Sequence, residues 1–383
     1  MRFDIMFIGG SFPMPMGGGS INYVYRLIKG IDDLSYFVFT GDDNSEENER
    51  FDKSFNHLVI RSRFCYHVLE RFKGGRIKKQ LYHILAIIQI VFYILKYRPK
   101  LVYFTELSIV SLSAIVAKLF MKFKIGFFTY AEEIQMDKDR PFHRWVFTRM
   151  IKSSNIIITV CDYTRNMLNE IYWADDKIVK IIPPVPFKKH SLQVDKERRD
   201  VVNIITVGRL EKRKGHLDVL ESLNKLKEES VLFEYHIIGD GPYRTEIESK
   251  IKELKLESCV KMLGKISDDE LEREYQWADI FVMPHKQLSD GDTEGCPTVF
   301  LEASYHYIPV IGGCAGGVSD AIINGETGYI CLPNNSDLYA NLRDLSCDYE
   351  KRIVMGKKGH NYSKEFTAEN QALLFRNITT RYL

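Results

Sequence analysis

This 383-residue sequence predicts an α/β protein of two parallel-sheet domains in tandem, facing each other across a cleft. Three observations carry that prediction. Short apolar, β-rich runs alternate with helical patterns along the chain, the alternation stops at a proline-rich and then charged stretch near residue 190, and it restarts at Val201. Regular alternation of strand and helix argues for parallel sheets covered on both faces. The length is too great for one typical domain and comfortable for two, each with its own core.

In order, Asp4–Ile8 reads as a first strand closed by Gly9 and Gly10, followed by a loop with Gly17, Gly18 and Gly19 that feeds a helical pattern through Ile21, Val24, Leu27 and Ile28. Three glycines ahead of a helix allow close backbone approach to a phosphate. Tyr36–Thr40 is a strand, followed by an acidic loop to Arg50. Leu101–Thr105, Ile125–Thr129, Ile156–Val160 and Ile178–Ile182 are further strands, with helices such as 108–121 and 143–151 between them. The stretch PPVPFKKHSLQVDKERRD is a linker, so a first domain spans 1–190 and a second 191–383, whose last helix is expected to pack back on the first. In the second domain the strands are Val201–Val207, Phe233–Ile238, Val260–Leu263, Ile280–Met283, Ile308–Ile311 and Gly328–Leu332. Helices are expected at 215–226, 244–254, 268–277 and 295–306. Tandem Rossmann-like halves place a ligand outside the strand ends.

Composition narrows the partners. Apolar content of 45% and charged content of 27% are those of a globular protein. Residues 1–190 hold 28 Lys/Arg against 19 Asp/Glu, a net +9, while the rest holds 25 against 32, a net −7. The excess concentrates in residues 61–100, with ten basic residues and one acidic among aromatics and aliphatics, which suits an anionic membrane surface. No helix-turn-helix, zinc or RNP-type signature accompanies the charge, so nucleic acid is not expected as a partner. Seven scattered cysteines without a C-x-x-C pair fit reduced thiols in a cytoplasmic protein. The start MRFDIMFIGG reads as a strand, not a signal peptide, and the greasy segment 84–95 is too short to span a bilayer. A peripheral association with the inner face of the membrane follows.

The most informative stretch is GDTEGCPTVFLEASYHYIPVIGG, residues 291–313. Glu294 ends a loop, Pro297 suits the first turn of a helix, and the N–H groups of Cys296, Pro297's neighbour Thr298 and Val299 would point out with positive partial charge. Glu302 lies one turn beyond Thr298 on the same face, so Glu294 sits at a pocket mouth and Glu302 along its wall. Upstream, Gly208 and Arg209 end a strand and Lys214 opens the next helix. Arg209 and Lys214 can converge on one dianion across that loop, with Lys212 and Arg213 as competitors. Gly241, in IIGDGP, marks a second strand-end turn. His143, His216, His285 and His306 have no paired metal spacing and read as structural.

Taken together, VGRL with KG, IIGDGP, MLGKISDDEL, ADIFVMP, EGCPTVFLEAS, IPVIGG, GGVSDAI and NGETGYI run in order over about 130 residues within 201–332. This half resembles the retaining glycosyltransferases of family GT4, which have the GT-B fold; in the first half the likeness is thinner. The resemblance implies a nucleoside diphosphate sugar donor, such as a UDP- or GDP-sugar, and a hydroxyl acceptor, a lipid-linked or cell-surface glycan precursor in polysaccharide biosynthesis. It implies that Arg209 and Lys214 hold the diphosphate, Glu302 binds the ribose hydroxyls, and Glu294 orients the sugar with main chain at Cys296–Val299. Gly17, Gly18 and Gly19 would close over the phosphates, and configuration would be retained by front-face attack. No cofactor and no divalent metal is expected; Asp290-Gly291-Asp292 is the nearest imitation of a metal motif.

Two departures stand out. Where many members carry His-Gly-x-Glu on the acceptor side, this chain has Tyr130-Ala131-Glu132-Glu133, and a neutral tyrosine does not replace imidazole in acid–base work. That leaves a catalytically silent nucleotide-sugar binding protein as the alternative. Asp320 stands where a longer acid is usual.

Overall fold

A computed structural model describes residues 2–10, 19–42, 45–64, 76–130, 134, 141–185, 198–288, 293 and 295–383. It divides into two compact units, Met1–Pro184 with Ala368–Leu383, and Val185–Thr367.

The first unit is built on a seven-stranded parallel sheet in the order β3-β2-β1-β4-β5-β6-β7. The strands are β1 (Ile5–Gly9), β2 (Tyr36–Gly41), β3 (Leu58–Ser62), β4 (Leu101–Phe104), β5 (Lys124–Thr129), β6 (Ile156–Thr159) and β7 (Ile178–Lys180). Helices α1 (Gly19–Ile28), α2 (Glu46–Ser54), α3 (Arg76–Tyr97), α4 (Leu112–Ala117), α5 (Pro141–Ser153) and α6 (Asp162–Tyr172) connect them. All residues of β1, β2, β4 and β6 are buried, because a parallel sheet is covered on both faces. One core gathers Met6, Phe39, Val102 and Phe127 of the sheet with Ala86, Ile90 and Ile94 of α3 and Phe147 and Met150 of α5. On the other face, the C-terminal helix Ala368–Thr380 seats Phe375 against Tyr103, ring centroids 5.5 Å apart, and Thr379 beside the Tyr103 hydroxyl at 3.1 Å.

The second unit repeats the wiring. Its six parallel strands are β8 (Val202–Val207), β9 (Phe233–Ile238), β10 (Val260–Gly264), β11 (Ile280–Met283), β12 (Val310–Gly312) and β13 (Gly328–Ile330). They run in the order β10-β9-β8-β11-β12-β13, with α7 (His216–Glu228), α8 (Arg244–Glu253), α9 (Asp268–Trp277), α10 (Thr298–Tyr305), α11 (Leu338–Cys347) and α12 (Tyr349–Ser363). In both sheets the chain reverses its direction of travel beside the first strand. These switch points, β1/β4 and β8/β11, are where open α/β sheets bind ligands.

Several expectations are corrected. The acidic loop after β2 contains α2, whose first turn carries Glu46, Glu47 and Glu49 and whose N-cap Ser45 accepts from the Asn48 N–H. The helix expected at 108–121 is a 3-10 turn, Ile109–Ser111, followed by the six residues of α4. The helix expected from Gly295 starts at Thr298. The greasy segment 84–95 belongs to a longer helix, α3 of 22 residues, whose 80–97 stretch is long and apolar enough to cross a membrane by length and composition. Its Ala86, Ile90 and Ile94 face is nonetheless buried in the core of the unit.

Candidate functional site

The candidate site forms at the C-terminal strand ends of the second sheet, where the loops after β8, β9, β11 and β12 are laminated backbone to backbone. The Gly208 N–H donates to the Ile238 carbonyl at 2.9 Å, and the Leu210 N–H to the Asp240 carbonyl at 3.1 Å. A Cβ on Gly239 would lie 2.0 Å from the Gly208 oxygen, and one on Gly313 would lie 1.8 Å from the His285 oxygen. No side chain fits at either place. A Cβ on Gly241 would lie 2.3 Å from the Leu210 oxygen. The buried His285 ring locks the same edge, its Nε2–H donating to the Ala315 carbonyl at 2.8 Å.

This framework fixes the two cations differently. Lys214 ends the 3-10 turn Lys212–Lys214, is only 7% exposed, and lies over Gly208, with Nζ 4.0 Å from where a Cβ would be. Arg209 leaves the same loop with a side chain 70% exposed, its Nη1 3.2 Å from Glu211 Oε1. Arg213 holds the other Glu211 oxygen at 2.8 Å. Glu211 therefore already balances one of the competing cations. Two positions on from Lys214, His216 is buried and neither ring nitrogen has a hydrogen-bond partner among the described residues. Burial, with the Lys214 charge second, pushes its pKa down to about 4, so the ring is neutral at pH 7.

Across the switch point, α10 carries Thr298 and Glu302. The helix begins later than its sequence pattern suggests because Pro297 adopts a non-helical φ/ψ of −79°/86°, while Gly295 is tied outward, its carbonyl accepting from the Gly317 N–H at 2.9 Å. Thr298 and Val299 thus form the first turn, whose N–H groups have no intrahelical partner, with Cys296 and Pro297 leading in. Thr298 Oγ1 donates to Glu302 Oε1 at 3.2 Å, and the Tyr275 hydroxyl donates to Glu302 Oε2 at 3.2 Å. Tyr275 comes from α9, is buried, and has its pKa raised well above the ordinary range by burial and then by the Glu302 charge, so it stays a donor. Its ring stacks on His306 at 5.1 Å and 6°. Tyr275 was not singled out from the sequence, where its only signal is an aromatic on an amphipathic helix.

The loops after β8 and β9 thus assemble Gly208, Arg209, Lys214 and Gly241, and the crossover after β11 supplies Thr298, Val299 and Glu302 at the same sheet edge. Glu294, Asp290, Gly291 and Asp292 lie outside the described residues, as do Gly17, Gly18, Glu132 and Glu133. Gly19 opens α1. Tyr130 follows β5 in the first unit, its ring 6.3 Å from Tyr23. In that unit Glu106, also missed from sequence, accepts from the Gly10 N–H at 3.0 Å and so places a carboxylate at the β1/β4 switch point. Among the described residues no group of three or more His, Cys, Asp or Glu could hold a metal ion, and no two of the six described cysteines form a disulfide.

Comparison with known proteins agrees with this architecture. Residues 188–362 match the family described as Glycosyl transferases group 1. The putative colanic acid biosynthesis glycosyltransferase WcaL of Escherichia coli K12 is 26% identical over 190 residues, 50% of this chain and 47% of that one. The GDP-mannose-dependent alpha-(1-6)-phosphatidylinositol monomannoside mannosyltransferase of Mycobacterium tuberculosis is 25% identical over 232 residues, 58% of this chain and 60% of that one. The chain spans about half the length of the curated relatives it matches. The structure of Anabaena Alr3699/HepE in complex with UDP superposes with a TM-score of 0.75 at 15% identity, covering 100% of both chains, and shares the fold. Two parallel-sheet α/β units of GT-B type and a group 1 region across 188–362 are what this chain has in common with the GT4-like glycosyltransferases, which it resembles.

Proposed function

We propose that this protein transfers a sugar from a nucleoside diphosphate sugar to a hydroxyl of a lipid-linked or cell-surface glycan precursor, with retention of configuration and without a divalent metal. The observation that carries the reading is the Glu302 carboxylate, gripped by Thr298 and Tyr275 on one side of the β8/β11 switch point, with the buried Lys214 on the other. A carboxylate with both oxygens oriented suits a vicinal diol such as ribose. A buried ammonium over a glycine turn suits phosphate, where the exposed Arg209 adds a second charge as the leaving group departs. Glu294 would orient the transferred sugar beside Cys296 and Pro297. The neighbours' names support a donor of this class, one solved with UDP and one described as GDP-mannose-dependent. The membrane-facing placement proposed here rests on the basic stretch 61–100, and the cytoplasmic one on the seven scattered cysteines.

Incubation with labelled UDP- and GDP-sugars, with and without a chelator, tests the reading. Release of nucleotide that survives the chelator supports it. Binding without release, across donors and acceptors, favours the alternative of a silent nucleotide-sugar binding protein, for which Tyr130 in place of the usual His is the specific motive.

A further inference from the structure

Helix α3 of the first unit has two apolar faces. One is spent on the core: Ala86, Ile90 and Ile94 are buried, and Tyr93 and Tyr97 lie against Phe39 and Phe37 of β2 with ring centroids 5.6 and 4.8 Å apart. The other looks outward, since Ile88 and Ile90, two residues apart, point about 200° from each other round a helix. Leu81, Ile84, Ile88 and Phe92 form this outward row and are 51%, 54%, 58% and 55% exposed, and the half-buried Leu95 continues it. A helix apolar outward as well as inward is made to be covered on both sides. Helices that lie on a bilayer set Lys and Arg beside the apolar face, and residues 80–95 contain neither.

The spacing of the row says what covers it. Leu81 and Leu95 stand seven residues to either side of Ile88, Ile84 and Phe92 four, and Gln80 and Lys96 eight. Laid antiparallel on a second copy of itself, about a two-fold axis through Ile88, the helix sets Leu81 of each copy against Leu95 of the other, Ile84 against Phe92, and Ile88 against itself. That is the self-complementarity of a C2 interface. At the rim the exposed Gln80 offers an amide oxygen to the Lys96 ammonium, acceptor to donor, at both ends. Lys96 already lies at the end of the row, its Nζ 5.8 Å from the centre of the Phe92 ring and 5.0 Å from that of Tyr97. At these exposures the row offers on the order of 500 Å² per copy, so two copies cover about 1,000 Å², the least that a specific interface takes.

We propose that a second copy of this chain covers the outward row, giving a two-fold dimer in which the two α3 helices pack antiparallel through Ile88. An interface of that size places the association at the weak end, with a Kd on the order of 10 µM. The proposal does not rest on the glycosyl-transfer reading, because α3 carries none of the residues assigned to the donor.

Sedimentation equilibrium of the full chain from about 1 to about 100 µM tests it, a range that brackets the expected Kd. A monomer–dimer equilibrium is expected, and Ile88→Asp should raise its Kd by about tenfold or more, because two like charges then meet on the axis. Near-ultraviolet circular dichroism should stay native, since Ile88 points away from the core. The geometry is read from a second set of variants that does not depend on that one folding. Ile84→Lys and Phe92→Glu should each weaken association, and the two together in one chain should restore it at least in part, because they face each other across the axis in both halves. A monomer at the highest concentration, a dimer indifferent to Ile88→Asp, or a double variant no tighter than either single one overturns the proposal. So does a protein that is monomeric in solution but floats with vesicles of equal parts phosphatidylcholine and phosphatidylglycerol, and loses that flotation with Ile88→Asp, since a bilayer then covers the row. Nucleotide binding to the second unit is expected to be the same in all these variants, so the result leaves the glycosyl-transfer reading where it stands.

Discussion

The Tyr275 hydroxyl donates to Glu302 Oε2 at 3.2 Å, joining a buried side chain of α9 to the carboxylate of α10 proposed to grip ribose. Hydrogen bonds to a charged acceptor are worth about 1.5–3 kcal/mol. Tyr275→Phe keeps the ring on His306 and removes only the donor, so nucleoside diphosphate affinity should fall about tenfold by calorimetry. Discrimination against the 2′,3′-dideoxy analogue should shrink with it. A variant that binds both nucleotides as the wild type does would make Tyr275 a packing residue.

Lys214 and Arg209 are predicted to act together. Arg209→Ala with Lys214→Ala should remove turnover while far-ultraviolet circular dichroism stays native. Full activity in that double variant would defeat the phosphate assignment.

His216 gives a pH dependence with a definite sign. Its pKa is near 4 when folded and near 6.5 when unfolded, so between those values the unfolded chain binds more protons and stability is lost as pH falls. The loss should reach about 2 kcal/mol by pH 5. Urea midpoints of wild type and His216→Leu should therefore converge near pH 7.5 and separate in favour of the variant at pH 5. Parallel curves would show that His216 is not buried neutral.

The lamination of the strand-end loops predicts a backbone effect. Gly239→Ala places a Cβ 2.0 Å from the Gly208 oxygen at a φ of +132°, so the loop must open, at a cost of several kcal/mol. The denaturation midpoint should drop with it; an unaltered midpoint would contradict the close packing.

Much of the second unit was legible because its elements obey strong local rules. Phe233–Ile238, Asp268–Trp277 and Ile280–Met283 have the bounds their patterns indicate, the helix being closed at its start by the reciprocal Ser267 and Glu270 capping box. Glu302 and Thr298 share a face because residues four apart on a helix do. The start of α10 was misplaced because proline at the first turn and proline just before it read alike, and the tie from Gly295 to Gly317 is long-range. In the first unit α2 was hidden by its charge, with Phe51 as its one buried apolar residue, and β3 by its half-exposed edge position. The placement of Tyr275 against Glu302 and of Glu106 against Gly10 depends on which elements become neighbours, which no local pattern of residues discloses.

The most direct measurement is calorimetric titration of UDP and GDP into the wild type, Lys214→Ala and Glu302→Ala. One of the two nucleotides should bind the wild type, and each substitution should weaken it by roughly tenfold or more, the loss of a charged hydrogen bond. Neither nucleotide binding, or undiminished binding to Glu302→Ala, would contradict a nucleoside diphosphate held at the β8/β11 switch point.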